Sequence, residues 1–276
     1  MMEQNRKVKK IIVTVLSFLI CAIVFFPIVY MISNSFKVEL DIFKSPFHII
    51  PEKFVNNYNS VWNGAYDFVR FYLNSLKVTA ISVCGLVITS LLAAYGFSKI
   101  KYKGRDILFL VYMATLMIPT QLTMIPRFMI YKELGIYNTH WALILPGMTT
   151  AFGTFLLRQF MISIPYEMNE AAKIDGAGEL RILFQILLPL LKPGIITLVL
   201  ISIVWSWNDY ENAMLFLTDK NLFTIPLGLI SFMDETGKQY SLIMAAAVSA
   251  ALPPMILFLF GQRYFVEGLA KGAVKG

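Results

Sequence analysis

Few side chains in this sequence could do chemistry, and most of them fall in two places. The first is Trp207-Asn208-Asp209 followed by Glu211, where two carboxylates interrupt an apolar run. A carboxylate facing lipid at the bilayer centre costs about 2.5 to 3.5 kcal/mol or more, so Asp209 and Glu211 are expected to face a wet cavity or a partner helix. The Trp207 indole offers a stacking face, and Asn208 and Asp209 offer hydrogen-bond acceptors; an interfacial aromatic with solvated acids fits the same residues. The second place is Ser163 to Gly194, where Glu170-Ala171-Ala172 and Asp175-Gly176-Ala177 set charges beside small residues. Catalytic patterns are missing elsewhere. His48 and His140 lie far apart and outside H-E-x-x-H, and neither a G-x-S-x-G elbow nor a G-x-x-x-x-G-K-[ST] phosphate loop occurs. The chain is therefore expected to bind no metal or cofactor and to hydrolyse no ATP itself. Any active transport must draw on an ion gradient or on another subunit.

The elements that must position these residues are read from hydropathy. Of 276 residues 57% are hydrophobic and 15% charged, with a mean hydropathy of +0.66, against about 25% charged in an average soluble protein. An aromatic content of 14% excludes disorder, and two cysteines exclude a disulfide scaffold. Long unbroken apolar runs, not alternating ones, imply an all-α polytopic membrane protein. Stretches free of Asp, Glu, Lys and Arg run over 11–36, 78–98, 107–126, 134–157 and 239–262; a shorter one, 193–208, resumes beyond Asp209 and Glu211 to Leu217. Six transmembrane helices follow, at about 11–33, 75–97, 107–126, 137–158, 194–217 and 240–262. The first is read as a retained anchor and not a signal peptide, since the run exceeds a signal core and no A-x-A site follows. Cys21 and Cys84 fall within spans and are expected to stay reduced.

Lysine and arginine mark cytoplasmic loops. With the amino terminus inside, the clusters at 6–10, 99–105, 158–192 and 263–275 hold fifteen of the 24 basic residues, which places both termini in the cytoplasm. The net charge of +7 is thereby explained by topology, and no nucleic-acid partner is implied. Between the first two spans, residues 34–70 carry Phe36, Phe43, Phe47, Phe54, Tyr58, Trp62, Tyr66 and Phe68. They form either a surface for an external partner or an interfacial cap. Residues 221–233 are apolar but too short to span, and are expected to form a re-entrant or interfacial hairpin.

The 163–192 loop reads as two short helices. Ser163 and Pro165 open the first, Asp175-Gly176 close it, and Pro189 limits the second. In the second, Leu180, Leu183, Phe184, Leu187 and Leu188 are expected on one packed face, with Glu179, Arg181 and Gln185 wet. Ala171 and Ala172 would let a partner approach the first helix closely, beside Glu170 and Lys173. From periodicity alone an amphipathic helix lying on the inner leaflet is the first reading.

The string Glu170-Ala171-Ala172, Asp175-Gly176-Ala177, then Pro189 resembles, at the expected spacing, the EAA loop of ABC importer permeases. Ser206-Trp207-Asn208-Asp209 and Gln262-Arg263-Tyr264-Phe265-Val266-Glu267-Gly268 through Gly276 are similar to the carbohydrate-uptake branch, the maltose-type second permease subunit. The resemblance extends from about the second span to the last residue. It implies a type I ABC importer permease fold: an anchor and extracytoplasmic segment over 1–70, a transmembrane domain over 71–265 containing the coupling loop 163–192, and a cytoplasmic tail over 266–276. In that family the EAA loop docks into a cytoplasmic ATPase, a role that would pass to Glu170, Ala171, Ala172, Asp175, Gly176 and Ala177; the 268–276 tail would reach the same interface. The implied partners are a second permease subunit, two ABC ATPase subunits carrying ATP and Mg, an extracytoplasmic sugar-binding protein and the lipid bilayer, in a bacterial cell membrane crossed several times. In the best-understood relatives the other permease mainly holds the sugar, so Trp207, Asn208, Asp209 and Glu211 would line a pathway or gate, and 221–233 would reach the binding protein. Two rivals remain: an ABC importer permease for another solute, and an ion-coupled secondary transporter, which should show an ion site near the midplane.

Overall fold

The computed structural model describes residues 2–44, 48–64, 67–233 and 239–273, with side chains over 9–44, 48–64, 67–233 and 239–263. Phe47, Tyr66 and the side chains of the 266–276 tail lie outside these. The described chain is 80% helical and holds no strand. In order the α-helices are α1 (Met2–Asn34), α2 (Glu39–Lys44), α3 (Asn57–Asn63), α4 (Phe68–Ser98), α5 (Arg105–Ala114), α6 (Met124–Glu133), α7 (Trp141–Gly147), α8 (Ala151–Ile162), α9 (Glu167–Ile174), α10 (Glu179–Arg181), α11 (Leu188–Leu190), α12 (Lys192–Trp207), α13 (Tyr210–Phe216), α14 (Ile225–Gly228) and α15 (Tyr240–Ala273).

Among the described residues three helices are long and apolar enough to cross a bilayer: 9–34, 68–98 and 240–263. Two further pairs qualify only as broken spans, 105–117 with 120–133, bent by 91°, and 179–190 with 192–207, bent by 80°. The third expected span is thus not straight. Pro119 has no N–H to continue the ladder and holds Ile118 extended (φ −81°, ψ 114°), which turns the chain there. The fourth also differs: it starts at Trp141 and breaks between Gly147 and Ala151, where Thr150 is extended and its hydroxyl caps α8 by accepting from the Phe152 N–H. In the fifth, α12 ends at Trp207 and α13 starts after Asp209.

The chain divides into two compact units. One comprises residues 1–69 and 229–251. Within it the Glu39 carboxylate accepts from the Tyr240 N–H, the Ser241 N–H and the Ser241 hydroxyl, each at 2.9 Å, satisfying the first donors of α15. Phe36 packs on Tyr58 at 5.2 Å and on Phe54 at 6.2 Å, Phe43 meets Tyr240 edge-on at 5.2 Å, and Trp62 meets Phe68 at 5.1 Å. Much of the aromatic set of 34–70 is therefore spent on internal packing, though Phe43 and Phe54 stay largely exposed.

The other unit comprises 70–228 and 252–276 and carries both candidate sites. It has two cores. One joins α4 (Leu86, Leu91, Ala94, Tyr95) to α8 (Leu156, Leu157, Phe160) and to Ile182, Leu183, Leu187, Leu191 and Leu198. The other joins Val78 to α7 (Ala142, Leu143, Ile144) and α13 (Ala213, Phe216). Where α12 crosses α8, Gly194 lets the backbone approach the Phe160 ring so closely that a Cβ would lie 2.7 Å from it. Residues 221–228 fold back as short turns with Ile225 and Leu227 buried, and the Ile225 N–H donates to Ser75.

Candidate functional site: a two-helix loop and a polar cavity

The loop's first helix closes where its sequence signal lies, but Ser163 does not open it: the Ser163 hydroxyl donates to the Phe160 carbonyl at the end of α8, and α9 starts after Tyr166 with no side-chain cap. In α9, Glu167 and Glu170 occupy the first turn and Lys173 the last, matching the helix dipole. The helix ends in a Schellman turn: Gly176 adopts φ +76°, its N–H donates to the Lys173 carbonyl at 3.0 Å, and the Ala177 N–H donates to the Ala172 carbonyl at 2.9 Å. Glu170, Ala171, Lys173, Asp175 and Gly176 are exposed, and Ala177 is half-buried. Ala172 does not share that outward face. It is buried in the core with Asn169 three residues earlier, because residues three apart lie on one side of a helix. Ile174 is exposed on the outer side of the same helix, 86% accessible, and carried no signal in the sequence.

The anchored face of the second loop helix also differs from expectation. Leu180 and Phe184 are exposed, and the buried row is Ile182, Leu183, Leu187 and Leu191. Residues 182–187 form π-helix, whose i to i+5 turns are wider than α-helical ones and shift the row. Leu191, fully buried, sits at the 80° bend into α12, and Pro193 starts that helix without wasting a donor.

Polar braces join the loop to the end of α4. Lys99, 4% exposed, donates from Nζ to the Ile164 carbonyl at 2.7 Å. Burial lowers its pKa, opposed by the Glu167 carboxylate. Glu179 accepts from the Tyr95 hydroxyl and pairs with Lys173 at 2.6 Å. The Lys173 ammonium, then the Tyr95 hydroxyl, hold the Glu179 carboxyl below its ordinary range. Lys99, Tyr95 and Glu179 were missed because each reads in sequence as an ordinary span-end or surface residue.

The second site is a cavity of about 580 Å³ between α4, α7, α12 and α13. Asp209, Glu211, Asn212, Arg127, Trp205, Ser206, Ser202 and Ser82 are among its lining residues. Asp209 has structural work as well: its carboxylate caps α13, accepting from the Asn212 N–H at 3.2 Å and side-chain amide at 2.9 Å. Asn208, exposed, donates to the Val204 carbonyl at 2.8 Å and lies outside the lining. Trp207 does not face the cavity. It is 3% exposed, packed edge-on against Tyr72 with ring centroids 5.6 Å apart. The indole that lines the cavity is Trp205, 51% exposed, its ring braced edge-on by Phe152. Of the sequence-predicted set, then, only Asp209 and Glu211 come together here, joined by Arg127 and the hydroxyl residues, which carried no signal individually.

With this geometry in view, comparison with known proteins is informative. The chain is 35% identical to a probable ABC transporter permease protein, YurM, of Bacillus subtilis, over 96% of this chain and 88% of that one. It is 35% identical to the melibiose/raffinose/stachyose import permease protein MelC of Bacillus subtilis, over 96% of both. It is 29% identical to the arabinooligosaccharides transport system permease protein AraQ of the same organism, over 98% and 97%. A crystal structure of a bacterial ABC transporter that imports the acidic polysaccharide alginate superposes with a TM-score of 0.84 at 24% identity, covering 95% of this chain and 98% of that one, and so shares the fold. Residues 85–271, which contain the loop and most of the cavity wall, match the family described as binding-protein-dependent transport system inner membrane component, and the chain belongs to that family of multi-pass ABC transporter permeases.

Proposed function

We propose that this chain is one permease subunit of an ATP-driven sugar importer, forming half of the pathway and taking its energy from a cytoplasmic ATPase pair. It crosses the bacterial cell membrane six times with both termini inside: α1, α4 and α15 as straight helices, and three crossings broken within the bilayer. It works with a second permease, two ATPases that carry ATP and Mg, and an extracytoplasmic sugar-binding protein; the chain itself binds no cofactor. The observation that carries this reading is the loop, where α9 presents Glu170, Ala171, Lys173, Ile174 and Asp175 outward while the segment after Gly176 is anchored by one buried row, Ile182, Leu183 and Leu187, down to Leu191. An 80° bend lets that segment lie along the membrane surface as α12 crosses. Sugar as cargo is supported by relatives named for arabinooligosaccharides and for melibiose, raffinose and stachyose.

The test is ATP hydrolysis in lipid nanodiscs containing the complete transporter, with and without sugar-loaded binding protein, for wild type, Glu170→Ala and Ile174→Asp. Loaded binding protein should stimulate hydrolysis in the wild type, and both substitutions should abolish the stimulation. Uptake that follows a proton or sodium gradient without ATP would refute the reading.

A further inference from the structure

Four buried polar groups in the cavity wall have no partner among the described residues. Buried hydroxyls and amides normally find partners, and each that does not leaves a desolvation cost unmet. Ser82, Ser202 and Thr224 are 2%, 3% and 5% exposed and line the cavity, and the hydroxyl of each is one of the four; the Arg127 Nε–H, in the same wall, is the fourth. Beside them stands the half-exposed Trp205 indole. Unmatched hydroxyl and guanidinium groups next to an apolar ring face suit a ligand that is itself a mosaic of hydroxyls and C–H faces.

The charges narrow the class. Asp209 and Glu211 contribute two carboxylates against the single Arg127 guanidinium, which acts electrostatically on Asp209 and stacks over the Phe216 ring at 5.6 Å. The lining is therefore net negative. A uronate or sugar phosphate would bring like charge into a half-enclosed space, where repulsion is costly. Resting on the importer reading, we propose that this chain carries its own sugar subsite in this cavity, with Trp205 as the stacking face, and that it selects neutral oligosaccharides over anionic ones.

The experiment uses proteoliposomes with the complete transporter and measures ATP-driven uptake of raffinose, arabinotriose, an alginate trisaccharide and sn-glycerol 3-phosphate, in competition and at equal binding-protein occupancy. Wild type should favour the neutral sugars by on the order of tenfold or more. Trp205→Ala should raise KM for neutral sugars while Trp205→Phe largely restores it, and Glu211→Lys should shift preference toward the anionic substrates. Equal or better uptake of the alginate trisaccharide by wild type overturns the neutral-class assignment. Unchanged KM in Trp205→Ala, with the variant shown to assemble, overturns the subsite. Absence of ATP-driven uptake of any sugar, by contrast, refutes the importer reading itself.

Discussion

Gly176 offers a sharp perturbation, because only its backbone conformation demands glycine. Its φ of +76° lies in the left-handed region, and a Cβ built there would meet nothing within 4 Å. Gly176→Ala therefore adds no clash, and its whole cost is the left-handed conformation of an L-residue, about 1 to 2 kcal/mol. At about 1.4 kcal/mol per factor of ten that is roughly a 5- to 30-fold increase in opening of the turn. Gly178 is the matched control: it also faces open space, but at φ −73° and ψ 163°, where alanine is unstrained. Gly178→Ala should be neutral or stabilising by up to about 1 kcal/mol through the unfolded chain. The assay is hydrogen exchange by mass spectrometry on the transporter in nanodiscs, following the peptide that includes the amides of residues 176 and 177, whose bonds to the Lys173 and Ala172 carbonyls close the turn. Exchange there should accelerate within that range in Gly176→Ala and not in Gly178→Ala, and sugar-stimulated ATP hydrolysis should fall in the first only. Equal exchange in the two variants would refute the argument that the glycine conformation holds the turn after α9 in the pose proposed for docking.

Lys99→Met should cost about 1 to 3 kcal/mol, since it leaves the buried Ile164 carbonyl without its donor; thermal unfolding in detergent would register it, and an unchanged midpoint would mean water replaces the ammonium. Gly194→Ala forces a methyl against Phe160 and should destabilise by about 1 to 3 kcal/mol, read in the same assay, because an aromatic ring at a helix crossing has little room to move. For Glu179 the pH sign follows from a carboxyl held below its ordinary range by Lys173 and Tyr95: its contribution is present above the unfolded value, about 4.3, and disappears as pH falls through the folded one. The midpoint difference between wild type and Glu179→Gln should accordingly be flat from about pH 5 to 8 and shrink in more acid buffer, whereas a difference that grew in acid would assign the brace to another group.

The loop was the most legible part of the molecule because its signals are local. Asp175-Gly176 acts on the backbone within a turn of its own position, and α9 ends at Ile174 as that pair demands; Ser163, by contrast, ends α8, and Tyr166 precedes α9 without a side-chain cap. What failed there was the face of the following segment, since a π-helical stretch over 182–187 changes the residue period on which an amphipathic stripe is counted. Pro119, Pro126 and Pro146 were visible within apolar runs, yet a run length reports only that a segment can be buried in lipid, not that it is straight. The choice between Trp205 and Trp207 was beyond sequence for a related reason. Two residues are about 200° apart on a helix, so one indole faces the cavity when the other faces the core, and a helix apolar on every side gives no phase by which to choose. That Asp209 would face a cavity or a partner helix was readable; Arg127, Ser82 and Thr224, which line the cavity with it, come from three other segments, and only the fold brings them together.

The two sites share one rigid element. α12 begins at the Leu191 bend, where the loop is rooted, and its last turns carry Trp205 and Ser206 into the cavity wall. Sixteen residues at about 1.5 Å each span roughly 24 Å, most of a hydrocarbon core of about 30 Å. A packed helix passes on displacement as a body because its side chains have no room to absorb it, and Gly194 brings α12 close to the Phe160 ring near the loop end. On the proposed function that close contact would act as a pivot, and a small tilt imposed through α9 would become a larger displacement at Trp205, which lies farther from it. The break after Trp207, where Asp209 caps a new helix, would then confine the motion to α12, since α13 has its own core around Phe216. A helix break beside the cavity and a glycine crossing beside the loop are what a lever between the proposed ATPase contact and the proposed substrate wall would require.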